Sequence, residues 1–172
     1  MPATLGTGRC RVNDYWQANC QMLDMGTMAT TSSTTFLPVP LETVWATLAR
    51  FEDVARWGRG VSQSSMLTEQ ASGIGAVRRV QVGRSTLRET VTVWTPLRAL
   101  GYTIQGLPAI VRSAGYTWTL AAEGSGTRVT LSGTVETRMG RMLDKVVARK
   151  IGSANEELLA GLADHLSQAD RR

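Results

Sequence analysis

Histidine is almost missing from this chain: His165 is the only one in 172 residues. That scarcity excludes a good deal of chemistry. A Ser-His-Asp or Cys-His device would have to use His165, and no neighbouring feature supports that role. A transition-metal centre needs several His and Cys ligands. Only two cysteines are present, Cys10 and Cys20. They are too few, and too far from the body of the chain, for a disulfide framework, and they read as incidental reduced thiols. No apolar run approaches the roughly 18 to 20 residues that span a bilayer. Residues 1–28 lack the apolar stretch of a signal peptide. The expectation is a soluble, cytoplasmic protein. "GIG" and "GSG" are followed by no Gly-Lys-Ser/Thr, so they read as hairpin turns rather than phosphate loops. The residues call for no cofactor and no metal.

Lysine is scarce as well. Of 19 basic residues only Lys145 and Lys150 are lysine. The net charge is +5, and since Arg9 and Arg11 cancel Asp14 and Asp24, the whole excess lies after Met28. Such a balance permits contact with an anionic surface or ligand. It does not point to nucleic acid, because no basic run is interleaved with aromatics and no binding motif occurs.

At 42% hydrophobic, the chain can bury a substantial core as one domain. Residues 1–28 differ from the rest. They lack periodicity and hold both cysteines and four of the seven methionines. They read as a disordered or loosely docked extension, with Met25 or Met28 as alternative starts. Residues 29–168 form the domain, and 169–172 are a tail.

Within the domain, "TTSSTTFLPV" alternates as a strand does. "PLETVWATLA" then reads as a helix: Pro40 suits its first position, Glu42 its first turn, and Leu41, Val44, Trp45 and Leu48 share a face. That spacing makes Trp45 a core residue. "FEDVARWG" is a second short helix, ended by glycine. Six strand patterns follow at short spacing, "SQSSMLTEQ", "AVRRVQV", "TLRETVTVWT", "ALGYTIQG", "VRSAGYTWTLAA" and "TRVTLSGTVETR", and links this short imply antiparallel hairpins. Residues 140–168 make a long helix. Its apolar stripe contains Met142, Leu143, Val146, Val147, Ile151, Leu158, Leu159, Leu162 and Leu166. Gly152 and Gly161 weaken it by about 1 kcal/mol each relative to alanine where exposed. Arg138, Arg141, Lys145 and Arg149 recur every three or four residues, as a solvated face or an anion-facing patch. The fold class is α+β, with one antiparallel sheet of seven strands and a long helix covering one face.

Strand parity sorts the inner face. Leu87, Glu89, Val91 and Val93 share one side of their strand. Leu100, Tyr102 and Ile104 share another, as do Tyr116, Trp118 and Leu120, and Val129, Leu131 and Val135. A bulge would shift a set by one, and Gly101, Gly106 and Gly115 make bulges plausible. Glu89 stands out, because a carboxylate on an apolar face costs several kcal/mol unless paired or protonated. Arg78 or Arg79 on the preceding strand is its candidate partner. Glu89 is then a general acid/base or a polar ligand anchor, or else one half of a sheet-edge ion pair, or a residue left outside by a register shift.

"FLPVPLETVWATLARFEDVARWGRGV", with its strand leading into Pro-x-x-x-Val-Trp and a helix ending in Trp, resembles the opening of a known family. That family is the polyketide cyclase/dehydrase and lipid-transport family of the START-like (SRPBCC) superfamily. "GIGAVRRV", "LRETVTVWTPLRALGYTIQG" and "GYTWTLAAEGSGTRVTLSG" are similar to its run of strands, and the resemblance covers residues 34–166. It implies a helix-grip fold, in which the sheet wraps the long C-terminal helix and leaves a cavity between them. It also implies binding or carriage of a hydrophobic or amphipathic small molecule such as a lipid, quinone or polyketide. The alternative is a polyketide cyclase/aromatase or dehydratase working in the same cavity. The pattern is specific for fold and weak for chemistry.

On that reading the candidate ligand contacts are Trp57, Arg78, Glu89, Val91, Tyr102, Ile104, Tyr116, Trp118, Met139 and Met142. Glu89 and Tyr102 are the candidates for proton transfer if the protein is an enzyme. Tyr102, Tyr116 and Trp118 either line the pocket or fill the core. Trp57 resembles the family's aromatic at the cavity mouth, or else is a plug holding its helix down. Met139 and Met142 would be adaptable pocket liners. A further reading is weak contact with an anionic membrane surface through the basic helix face.

Overall fold

The computed structural model describes residues 29–138 and 141–169, with the side chains of 141–146 and 148 left aside. The extension predicted over residues 1–28, residues 170–172 of the tail predicted over 169–172, and Met139 therefore fall outside the described residues, as does the side chain of Met142, while Ala169 is the last residue of the long helix.

Strand β1 (Ala29–Leu37) leads through Pro40 into α1 (Leu41–Ala49). Proline suits this entry because its fixed φ needs no backbone donor there. A 3-10 turn (Phe51–Asp53) runs directly into α2 (Val54–Trp57). Six strands follow: β2 (Val61–Met66), β3 (Val77–Val82), β4 (Ser85–Thr95), β5 (Ala99–Gln105), β6 (Val111–Glu123) and β7 (Gly126–Thr137). The long helix α3 (Arg141–Ala169) closes the domain. The strands make one antiparallel sheet in the order β1-β7-β6-β5-β4-β3-β2. Only β1 is displaced from sequence order. The two short helices carry the chain from one edge strand to the other. No described helix is long and apolar enough to cross a membrane.

The inner face follows the parity argument at most positions. Leu100, Tyr102, Trp118, Leu120, Val129, Leu131 and Val135 are all buried. Val93 is the exception. The β4–β5 register shifts between Val91 and Val93, which turns Val93 outward (38% exposed) and Trp94 inward. Trp94 meets half-buried Trp45 of α1 edge-on, with ring centroids 5.2 Å apart. The bulge falls opposite Gly101, where an added Cβ would lie 3.0 Å from Val93 Cβ. Glycine is the residue that tolerates this approach.

Helix α3 lies against β1, β7 and α2. Two devices seat it. Asn155, fully buried, donates from Nδ2 to the carbonyl oxygen of Leu131 at 3.2 Å and to that of Thr31 at 3.4 Å. Gly161 sits so close to the end of α2 that an added Cβ would come within 2.1 Å of the Trp57 carbonyl oxygen. Gly161 thus does more than weaken the helix: the contact requires its missing side chain. Around this point Leu159, Leu162 and Leu166 join Val44, Leu48, Phe51 and Trp118 in a packed core.

Candidate functional site

The other end of the sheet–helix interface is hollow. A cavity of about 230 Å³ lies between β3–β7 and residues 147–158 of the long helix. Arg78, Val80 and Val82 enter it from β3, at the i, i+2, i+4 spacing that puts them on one face. Leu87 and Glu89 come from β4, Tyr102 and Ile104 from β5, Ala114 and Tyr116 from β6, and Thr134 and Val135 from β7. Helix α3 contributes Val147, Ile151, Ala154 and Leu158, each about one turn from the last. Arg59, Gly60, Val61, Leu107, Val111, Gly115 and Glu157 also line it, with Val54 of α2.

One polar cluster is set into this apolar wall. Arg78 and Glu89 are direct cross-strand partners in the β3–β4 register. Their side chains are only 4% and 8% exposed, and Arg78 Nε donates to Glu89 Oε2 at 2.6 Å. Arg78 Nη1 donates to the backbone oxygen of Phe51. The guanidinium carbon stands 3.8 Å from the centre of the Phe51 ring and 5.2 Å from that of Tyr102. Glu89 is therefore neither at a sheet edge nor on the outer face. Its charge is balanced by a guanidinium that is itself hydrogen-bonded and stacked, the condition under which such a pair is tolerated. Arg79, the other candidate partner, is exposed and opposite Arg88.

Tyr102 and Tyr116 are cross-strand partners with ring centroids 5.9 Å apart. Burial, reinforced by the negative charge of Glu89, pushes the Tyr116 hydroxyl up to about 12. The same two causes raise Tyr102 further, with Arg78 offsetting part of the effect. Both phenols are held protonated at neutral pH.

Of the residues singled out in the sequence, the fold brings Arg78, Glu89, Tyr102, Ile104 and Tyr116 together around the cavity. Trp57, Val91 and Trp118 are not among its lining residues. Val91 and Trp118 are 1% exposed, and the Trp57 ring meets Trp118 edge-on at 5.7 Å. The tryptophan pair forms part of the packed core beside α1. From α2, Val54 rather than Trp57 faces the cavity. His165 also lies elsewhere, on a notch with Thr47, Arg50 and Trp57.

The residues that sequence reasoning did not name were partly within reach. Val80 and Val82 share parity with Arg78, and Ala114 shares it with Tyr116. Ala154 and Gly60 carry no local signal, since small residues mark space only once the fold is known. Among the described residues no cluster of three or more His, Cys, Asp or Glu is arranged to hold a metal ion.

Comparison with known proteins agrees with this architecture. The family model for polyketide cyclase/dehydrase and lipid transport matches residues 28–167. A search of curated proteins by sequence finds no match. Among solved structures, the protein XoxI from Bacillus cereus superposes with a TM-score of 0.69 at 20% identity, covering 83% of this chain and 98% of that one. A START superfamily protein from Mycobacterium smegmatis gives 0.65 at 15% identity, covering 81% and 98%. The Zhui aromatase/cyclase from a Streptomyces species gives 0.65 at 20% identity, covering 85% and 96%. At these identities the likeness is one of fold, the helix-grip arrangement of sheet and C-terminal helix.

Proposed function

Because the chain belongs to the polyketide cyclase/dehydrase and lipid-transport family, we propose that it binds and carries a hydrophobic or amphipathic small molecule in the cavity between the sheet and α3. The observation that carries this reading is the cavity itself: mostly aliphatic and aromatic walls, with a few converging polar groups in Arg78, Glu89, Tyr102 and Tyr116. That is the usual composition of a small-molecule site. Apolar walls supply affinity without direction, and the polar cluster supplies orientation. Native mass spectrometry of protein purified from its own host tests the reading. A copurifying small molecule is expected. Protein that is consistently empty, and that takes up no fatty acid, quinone or aromatic polyketide, would overturn it.

One observation favours a catalytic variant. A carboxylate, a guanidinium and two protonated phenols sit together in a largely apolar wall, an arrangement suited to enolising a bound carbonyl chain. Tyr102 would donate a hydrogen bond to the substrate oxygen and Glu89 would receive a proton. On this alternative Glu89→Gln and Tyr102→Phe abolish turnover of a polyketide-like substrate while binding persists. Turnover that survives both changes would remove the two roles.

A further inference from the structure

The charges around the cavity narrow the class of guest, on the premise that the cavity is the binding site. Among its described lining residues, the charged types are Arg59, Arg78, Glu89 and Glu157. Neither arginine offers an unmatched cation. Arg78 is committed to Glu89 at 2.6 Å and to the Phe51 carbonyl. Arg59, at the mouth, is paired with Asp164, and Glu157 adds another carboxylate there. Among the described residues, two guanidinium groups are thus met by three carboxylates, those of Glu89, Glu157 and Asp164, the last outside the lining.

An incoming carboxylate would have to compete with Glu89 for Arg78 and lose its hydration in doing so, and like charges a few ångströms apart repel strongly in a buried site. The phenol hydroxyls of Tyr102 and Tyr116 are better suited to a neutral guest: each can donate to a carbonyl or accept from a hydroxyl. Size points the same way. About 230 Å³ lies below the roughly 300 to 1,000 Å³ of drug-sized ligand pockets. It exceeds the roughly 150 Å³ of an apolar cavity that takes up benzene. The space suits one or two rings rather than a long acyl chain.

We propose that the cavity selects a compact, uncharged guest of one or two rings bearing a carbonyl or hydroxyl group, and discriminates against carboxylates and long-chain acids. Matched probes test this: 2-naphthol, 2-naphthoate and palmitate, titrated calorimetrically into the full chain near neutral pH. Naphthol is expected to bind at least about tenfold more tightly than naphthoate, the cost of desolvating one charge beside another, with palmitate weaker again. Glu89→Gln should improve naphthoate about tenfold or more, since it removes the repulsion and frees Arg78 to pair with the incoming carboxylate. The comparison of probes on the unaltered chain stands even if that variant fails to fold. Ala114→Trp should abolish naphthol binding by filling the cavity. Naphthoate or palmitate binding as tightly as naphthol would overturn the inference while leaving the cavity reading intact. Naphthol binding that survives Ala114→Trp would also overturn it. Uptake of none of these probes, nor of any quinone or lipid, would overturn both.

Discussion

Arg78 and Glu89 face each other across β3 and β4, 2.6 Å apart from Nε to Oε2, on the side of the sheet that is otherwise apolar. Each is buried with its charge matched by the other. Removing one partner leaves a buried charge without its counterpart, which costs about 3 to 5 kcal/mol. Arg78→Met should therefore lower the denaturant midpoint sharply. The double variant Arg78→Met/Glu89→Leu should recover much of the loss, because a well-packed apolar pair carries no desolvation cost. Equal destabilisation by the single and double changes would show that the pair's packing, rather than its charge, is what matters.

The two glycines of α3 should respond in opposite directions. An added Cβ at Gly152 meets nothing within 4 Å, whereas at Gly161 it lies 2.1 Å from the Trp57 carbonyl oxygen. Gly152→Ala should stabilise by about 0.5 to 1 kcal/mol through helix propensity. Gly161→Ala should destabilise by about 1 to 3 kcal/mol, the range for overpacking. Thermal unfolding of the two variants checks both signs.

Alkaline pH should weaken the fold through its tyrosines. Burial raises the folded-state pKa of Tyr102 and Tyr116 above the ordinary value of 10. Their contribution to stability is complete below about pH 10 and is lost as the pH rises towards the folded-state values, because the unfolded chain ionises first. Unfolding free energy should fall above about pH 10. Tyr102→Phe/Tyr116→Phe should flatten that slope. An unchanged slope in the double variant would place its origin elsewhere.

Truncations on the two sides of the tryptophan pair should differ in cost. Trp118→Ala removes a fully packed ring and should cost about 3 to 5 kcal/mol. Ile104, half-buried, already borders open space, so fewer contacts are lost and Ile104→Ala should cost about 2 kcal/mol or less. Urea titrations of both variants provide the comparison.

Most of the fold was legible because its signals are local. Period-2 alternation located the strands, glycine and proline marked their ends, and the stripe from Val147 to Leu166 marked the long helix. The inner face of β5, β6 and β7 followed from parity alone. Parity failed at Val93 because the bulge opposite Gly101 depends on how two strands meet. The site was half legible. Glu89 announced itself as a charge among apolar neighbours, and its face was correctly assigned. Trp118 shares that face with Tyr116 yet lies outside the cavity, because position along a strand decides whether a neighbour such as Trp57 fills the space. The helix stripe has the same property: nothing local separates Ile151, beside the hollow, from Leu162, in the packed core.

That division has a consequence for variation in this chain. Where Trp57 and Trp118 interlock and Gly161 admits the backbone of α2, nearly every change carries a folding cost. Around Ile104 and Ala114, a side chain can grow or shrink into empty space while the core beneath it stays intact. If the cavity holds a guest as proposed, its specificity can change through a handful of positions at a smaller folding cost than any change in the packed core, so that new specificity is largely separable from the risk of misfolding.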